Sequence, residues 1–240
     1  AAADLLEATP IGQRSLPEWK PWKSPVAPAF EPLQPYLAGR RISVALDVAF
    51  SFVYPANVSV LKDMGAELLP FSPIAGEPLP ACDALWLPGG YPELHAAELA
   101  ACVALKDQIA AHVAAGRPVW AECGGMMALS EELIDADGVP HAMWGLLPGR
   151  TVLGRSLAAL GPHGLARTND EPLRGHSFHW SRFETSLAPS AHTAPSDTSQ
   201  GGQGEPLYER GPLRASWFHP WFASSPRLAA RLFLPEPLFA

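Results

Sequence analysis

The stretch VWAECGGMMALS (residues 119–130) joins an apolar run to a helix-compatible one through an acid, a cysteine and two glycines. RPVWAEC (117–123) has the content of a buried strand, and GGMMALSEEL (124–133) reads as the start of a helix. In a parallel α/β sheet the carboxyl ends of strands collect reactive groups, and Cys123 falls at such an end. Gly124 and Gly125 permit a tight, strained turn that pushes the thiol into the open. The free N–H groups of the helix start favour a thiolate, and the same donors would serve an oxyanion after attack on a carbonyl. The plainer reading is a cysteine packed as a small apolar residue. Strand, acid, paired glycines and helix together favour the nucleophile.

Working outward from this turn, the chain repeats the same alternation. RISVALDVAF (41–50) reads as a buried strand, and ANVSVLKDMG (56–65) as a helix with Val58, Leu61 and Met64 on one face and Gly65 at its end. AELLPFSP (66–73) and DALWLPGG (83–90) read as two more strands. PELHAAELAACVALKDQIAAHVAAG (92–116) is predicted as one long helix with Pro92 early and Gly116 as its stop. This order predicts an α/β fold: an open, mostly parallel sheet with helices on both faces. Beyond residue 145 the rhythm becomes shorter and strand-like in GRTVLG, GHSFHWSRFET and RASWFHPWF. Residues 188–206, rich in Ser, Gly and Pro, read as a long surface loop, and RLAARLFLP (227–235) as a closing helix.

The amino-terminal part has a different character. ADLLEATP (3–10) reads like the tail of a helix belonging to something upstream, and residues 12–38 carry prolines spaced too closely for a helix or central strand. We expect a linker there that lies along a surface through Trp19, Trp22 and Phe30. The expected organisation is therefore 1–39 as the end of an upstream domain plus linker, and 40–240 as the functional domain.

Bulk properties exclude several classes of function. The net charge of -7 and only four lysines leave no basic surface to neutralise phosphates, so no nucleic-acid partner is expected. No apolar run has bilayer length and the amino end lacks a secretion signal, so a cytoplasmic protein without a membrane partner is expected. Cys82, Cys102 and Cys123 form neither a disulfide framework nor a CxxC pair, so each is read as a lone thiol and no metal is expected.

WLPGGYPELHA (86–96) is a second strand end with paired glycines, whose N–H groups at Gly89 and Gly90 could complete an oxyanion hole with Gly124. Neither GxGxxG nor GxxxxGK[ST] occurs, so no nucleotide loop of either type is present. A thiolate also needs a base. His95 and His112 fall in the Ala-rich helix, and His141, His163 and His192 in sequence that reads as surface loop. His176 and His179 stand three apart in a predicted strand and so face opposite sides, which argues against a shared metal. His219, in RASWFHPWF, lies at another strand end and is the candidate base.

Taken in order, RISVALDVAFSFVYPANVSVLKDMGAELLPFSP, LPGGYPELHA, WAECGGMMAL, GHSFHWS and ASWFHPWFASSP resemble the C-terminal glutaminase domain of the cobyrinic (or hydrogenobyrinic) acid a,c-diamide synthases, over about residues 40–233. That resemblance implies a class I, triad-type glutamine amidotransferase of flavodoxin-like fold that hydrolyses L-glutamine through a Cys123 thioester. It implies His219 as general base and acid, Gly90 and Gly124 as oxyanion donors, and Gly89 and Tyr91 beside them in the substrate site. The ammonia would pass to an N-terminal synthetase domain, which would use ATP and Mg2+ to amidate two carboxylates of a corrinoid. No cofactor is then expected in this chain itself, and the reading leaves room for a homodimer.

Two positions depart from the family's pattern. Trp221 stands two residues after His219, where triad glutaminases carry an acid, and Ser177 stands where the family commonly has Glu. Glu122 is expected to point to the face of its strand away from the site. Asp47, His176 and His179 are candidates for a polar role around the pocket. The alternatives are a noncatalytic glutaminase-like binding module, a free-standing thiol hydrolase, and the glutaminase domain of cobyric acid synthase or a related tetrapyrrole amidase.

Overall fold

The computed structural model describes residues 9, 33–168, 170–196 and 204–239. The chain divides into two units, Ala1–Pro32 and Leu33–Ala240, and among the described residues every strand and helix lies in the second. Most of the expected linker lies outside the described residues.

The main sheet has seven strands. Four of its five parallel members are β1 (Arg41–Ala45), β2 (Glu67–Phe71), β3 (Ala84–Leu87) and β4 (Val119–Glu122), with β14 (Leu213–Ser216) as the fifth. β13 (Pro206–Arg210) and β11 (Ala191–His192) close one edge, giving the order β11-β13-β14-β4-β3-β1-β2. β1 to β4 and β14 pair in parallel, whereas β13 pairs antiparallel with β14, and β11 antiparallel with β13. β3 and β4 are buried at every position, as expected for strands covered on both faces. The chain steps outward from β1 to β2 and returns to β3 on the other side of β1, so the sheet reverses direction of growth between β1 and β3. In open α/β sheets a ligand crevice lies at the carboxyl ends of the strands beside such a reversal.

Two apolar clusters cover the two faces. One gathers Phe50, Leu87, Ile109, Met126, Leu129 and Trp144, the other Ile42, Leu61, Trp86, Trp120, Phe222 and Phe233. Helix α1 (Pro55–Asp63) packs on the second face through Val60 and Leu61, and its chain turns away at Gly65 with φ 92°. Strands β8 (Ala159–Leu165), β9 (Leu173–His179), β12 (Ala194–Pro195) and β15 (Phe218–Pro220) form one smaller sheet, and β5 (Ser130–Ile134), β6 (Pro140–Ala142), β7 (Leu147–Leu153) and β10 (Ser181–Glu184) another. No helix among the described residues is long and apolar enough to cross a membrane.

Three elements differ from the expectation raised by the sequence. The helix expected over 92–116 is a 3₁₀ turn (Pro92–His95), then α2 (Ala96–Ala101) and α3 (Val103–Ala114), broken at Cys102. The Leu99 carbonyl, which a continuous helix would offer to Val103, instead accepts from the Trp144 indole at 3.0 Å and from the Cys102 N–H at 3.2 Å. The helix after Cys123, α4 (Gly124–Leu129), has only six residues, because Ser130 already begins β5. The loop expected over 188–206 contains the short strands β11 and β12, with residues 197–203 outside the description.

Candidate active site

The ends of β3, β4 and β14 meet at the turn formed by Cys123 and its glycines. The chain leaves β4 at Cys123 with φ 43° and ψ -100°, the one non-glycine residue at positive φ among those described. Such a conformation costs on the order of 1–3 kcal/mol and persists only where neighbours over-determine it. Here the Cys123 N–H donates to the Ser216 carbonyl at 2.8 Å and its carbonyl accepts from Met127 N–H at 3.0 Å. The thiol is buried.

The four glycines around it are required by contact. A Cβ on Gly125 would stand 2.1 Å from the Leu87 carbonyl oxygen, and one on Gly90 2.1 Å from the Ala49 carbonyl oxygen. A Cβ on Gly124 would lie 2.9 Å from the Gly90 nitrogen, so the two backbone segments expected to donate to an oxyanion are adjacent. Gly89 faces the histidine: its Cβ would lie 2.4 Å from His219 Cε1.

His219 arrives from β15, which leaves the main sheet immediately after β14 and pairs with β9 so that His219 lies opposite His176. The rings of these two histidines stack with centroids 5.1 Å apart. Burial disfavours the charged His219 ring, but the neighbouring Cys123 and Glu122 outweigh that and raise its pKa to about 10. The sequence-predicted nucleophile and base are thus brought together from 96 residues apart.

Glu122 departs from its expected place. It shares the face of Trp120, as strand alternation requires, yet its Oε2 lies 3.7 Å from His219 Nδ1 with both side chains buried. The positive φ of Cys123 ends the strand geometry, so alternation along β4 does not separate residue 122 from the site. Trp86 Nε1–H at 2.9 Å and Trp120 Nε1–H at 2.7 Å both donate to Glu122 Oε1. Burial raises the Glu122 carboxyl, against the downward pull of His219, Trp120 and Trp86. Trp221, by contrast, is about half exposed and is held by its backbone: its N–H donates to the Arg174 carbonyl at 2.7 Å, and its carbonyl accepts from the Ser224 N–H at 3.0 Å and the Ser224 hydroxyl at 2.7 Å.

The remaining predicted residues separate. Tyr91 stands on the rim, edge-on to Phe52 at 5.1 Å, and Phe52 in turn lies 6.0 Å from the His219 ring. His176 is at the site, with burial and the neighbouring His219 and His163 lowering its pKa. His179 lies behind it, stacked on Trp217 at 4.4 Å and bonded to the Ser181 carbonyl and to Glu205 Oε1. Ser177 Oγ–H donates to the same Glu205 oxygen at 2.6 Å, so a carboxylate is present at Ser177 after all, supplied from before β13. His163, expected on the surface, is buried against Thr193. Asp47 does not touch the site: its carboxylate accepts from the Ala49, Phe50 and Ile74 N–H groups and the Ser72 hydroxyl, bracing the loop that packs on Gly90. No three His, Cys, Asp or Glu side chains among the described residues are placed to hold a metal.

Two residues at the site escaped the sequence reading besides Glu122. Tyr54 Oη lies 3.5 Å from His176 Nε2, and burial together with the charges of Glu122 and Cys123 raises its pKa. Asn57 donates from Nδ2 to the Pro220 carbonyl and accepts at Oδ1 from Phe222 N–H, each at 2.9 Å, clamping the segment after His219. A Tyr-Pro helix start and a buried Asn in an apolar helix face were the available signals.

Residues 41–226 match the family described as the CobB/CobQ-like glutamine amidotransferase domain. This chain belongs to that family. It is 46% identical over 204 residues to a cobyrinate a,c-diamide synthase of Herminiimonas arsenicoxydans, covering 85% of this chain and 46% of that protein. It is 44% identical over 236 residues to a hydrogenobyrinate a,c-diamide synthase of Pseudomonas aeruginosa, covering 98% of this chain and 52% of that protein. The chain thus spans about half the length of these curated relatives. In fold it is similar to a solved glutamine amidotransferase, with a TM-score of 0.57 at 19% identity over 80% of this chain and 96% of that one. As a glutamine amidotransferase domain, it has a thiol, an imidazole and adjacent glycine backbones at the strand ends where the fold places its chemistry.

Proposed function

We propose that this chain is the glutaminase portion of an a,c-diamide synthase acting on cobyrinate or hydrogenobyrinate in the cytoplasm. The observation that carries the reading is Cys123 on a strained elbow, close enough to the buried His219 to raise the pKa of its ring. Cys123 attacks the γ-carboxamide carbon of glutamine, and the oxygen takes up charge against the backbone N–H groups of Gly90 and Gly124. His219 takes the thiol proton and returns it to the departing nitrogen, which leaves as ammonia. Water, deprotonated by the same ring, then cleaves the thioester to glutamate. Tyr91 and Gly89 border the glutamine, and Tyr54 and His176 wall the far side of His219.

ATP and Mg2+ do not fit the residues present, since the chain has no GxxxxGK[ST] loop and the described residues hold no three-ligand cluster. We assign them to a synthetase portion that receives the ammonia and amidates the a and c carboxylates of the corrinoid. The test is glutamate release with that portion present. Wild type should turn over glutamine and Cys123→Ala should not, and a glutamine-mimicking chloroketone should label Cys123. Equal turnover by Cys123→Ala would remove the nucleophile assignment.

A further inference from the structure

Two buried polar atoms at this site face each other and have no hydrogen-bond partner among the described residues: Glu122 Oε2 and His219 Nδ1, 3.7 Å apart. A buried carboxylate is costly unless its oxygens are engaged, and the costs here are met unequally. Oε1 is saturated by the two indole N–H groups of Trp86 and Trp120, which lie in register on neighbouring strands. Those donors act as a pivot: they fix the carboxylate plane and leave Oε2 free to meet the imidazole. The position where an acid usually follows the histidine is occupied by the outward-facing Trp221.

We infer that Glu122, the residue immediately before the nucleophile, is the positioning residue of His219, with the Trp86–Trp120 indole pair as its fixed anchor. The inference rests on the reading of Cys123 and His219 as nucleophile and base. With Nδ1–H directed at Glu122 Oε2, Nε2 is the nitrogen left to take the Cys123 proton. The proton passes from Sγ to Nε2, the thiolate keeps the S–H electron pair, and the imidazolium charge falls between Cys123 and Glu122. A separation of 3.7 Å needs a closure of about 0.5–1 Å to become a hydrogen bond, and catalytic hydrogen bonds are commonly long before substrate binds. The arrangement differs from an acid two residues past the histidine in one respect: nucleophile and orienting acid are covalent neighbours at the end of β4, so they move together and only His219 is carried by a separate strand.

Glu122→Gln separates this role from mere core filling. The amide oxygen can keep both indole donors, which turns its NH2 group toward Nδ1. The ring must then accept at Nδ1 and carry its proton on Nε2, the wrong tautomer for deprotonating the thiol. The readout needs no glutamine: the rate of iodoacetamide modification at the Cys123 peptide, followed by mass spectrometry against pH, with Cys82 and Cys102 as internal references. A folded Glu122→Gln should lose the low-pH reactive phase of Cys123. Glu122→Asp, which retains the charge, should restore part of it. Glutamine turnover should fall by about 10²–10⁴-fold in the Gln variant with KM changed far less. If Gln leaves the alkylation profile at wild type, Glu122 does not position His219, whatever the glutaminase assay returns. The unsubstituted chain offers a check that is independent of variant folding. Its histidine ¹⁵N spectrum should show His219 Nδ1 protonated at neutral pH, and an unprotonated Nδ1 would overturn the inference.

Discussion

Gly89→Ala is expected to inactivate the site through a single methyl group. The added Cβ would stand 2.4 Å from His219 Cε1 and 3.1 Å from both His219 Nδ1 and Phe52 Cδ2. Carbon atoms pack comfortably at about 3.5–4.0 Å, so the ring has to retreat by about 1 Å. It has nowhere to go at low cost: His176 stacks on it at 5.1 Å, Glu122 lies 3.7 Å from Nδ1, and β15 is held in register with β9. A displacement of about 1 Å in a reacting group costs about 10²-fold in rate, whereas overpacking of this kind costs about 1–3 kcal/mol of stability. Two assays on one preparation separate the effects. Glutamate release should fall about a hundredfold, and the denaturant midpoint should move by an amount consistent with that modest loss. Gly116→Ala is the control. Its φ of 74° also disfavours a side chain, but nothing lies within 4 Å, so it should lose stability while turnover stays at wild type. Wild-type turnover in a folded Gly89→Ala would refute the placement of the His219 ring against this glycine.

Three more outcomes are expected from the same geometry. Because Cys123 is held at a positive φ, Cys123→Gly should be more stable than Cys123→Ala by about 1 kcal/mol in urea unfolding, although both are inactive. The His219 pKa is raised from 6.5 to about 10 in the folded chain, so the stabilisation it confers is fully present below pH 6.5 and is lost as pH rises toward 10; unfolding free energies measured across that window should decline less steeply in His219→Gln than in wild type. Asn57→Ala frees the Pro220 carbonyl and the Phe222 N–H inside the core, which should cost about 1–3 kcal/mol by chemical denaturation and lower turnover, while Asn57→Asp, able to accept from Phe222 but not to donate to Pro220, should lie between.

The thiol and the imidazole that the fold brings together were legible in the sequence because each carries its own local signature. VWAECGG is an apolar strand followed by a residue forced into a glycine-bordered turn, and WFHPWF is a strand end closed by proline. The parallel order of β1, β2, β3, β4 and β14 follows from apolar runs alternating with helical spacing, a pattern fixed by the 2.0 and 3.6 periods of strand and helix. The break at Cys102 was not legible, because it depends on the Trp144 indole competing for the Leu99 carbonyl across 45 residues of chain.

What the sequence alone determined is the set of chemical groups and the backbone turns that present them: a thiol after a strand, glycines where a Cβ has no room, a histidine before a proline. What only the tertiary structure decided is which acid lies beside the histidine. Alternation along β4 places Glu122 correctly on the face of Trp120, but it says nothing of where β15 brings His219. That approach is set by long-range pairing with β9 and by the strained backbone at Cys123, and both are properties of assembled strands rather than of any one segment.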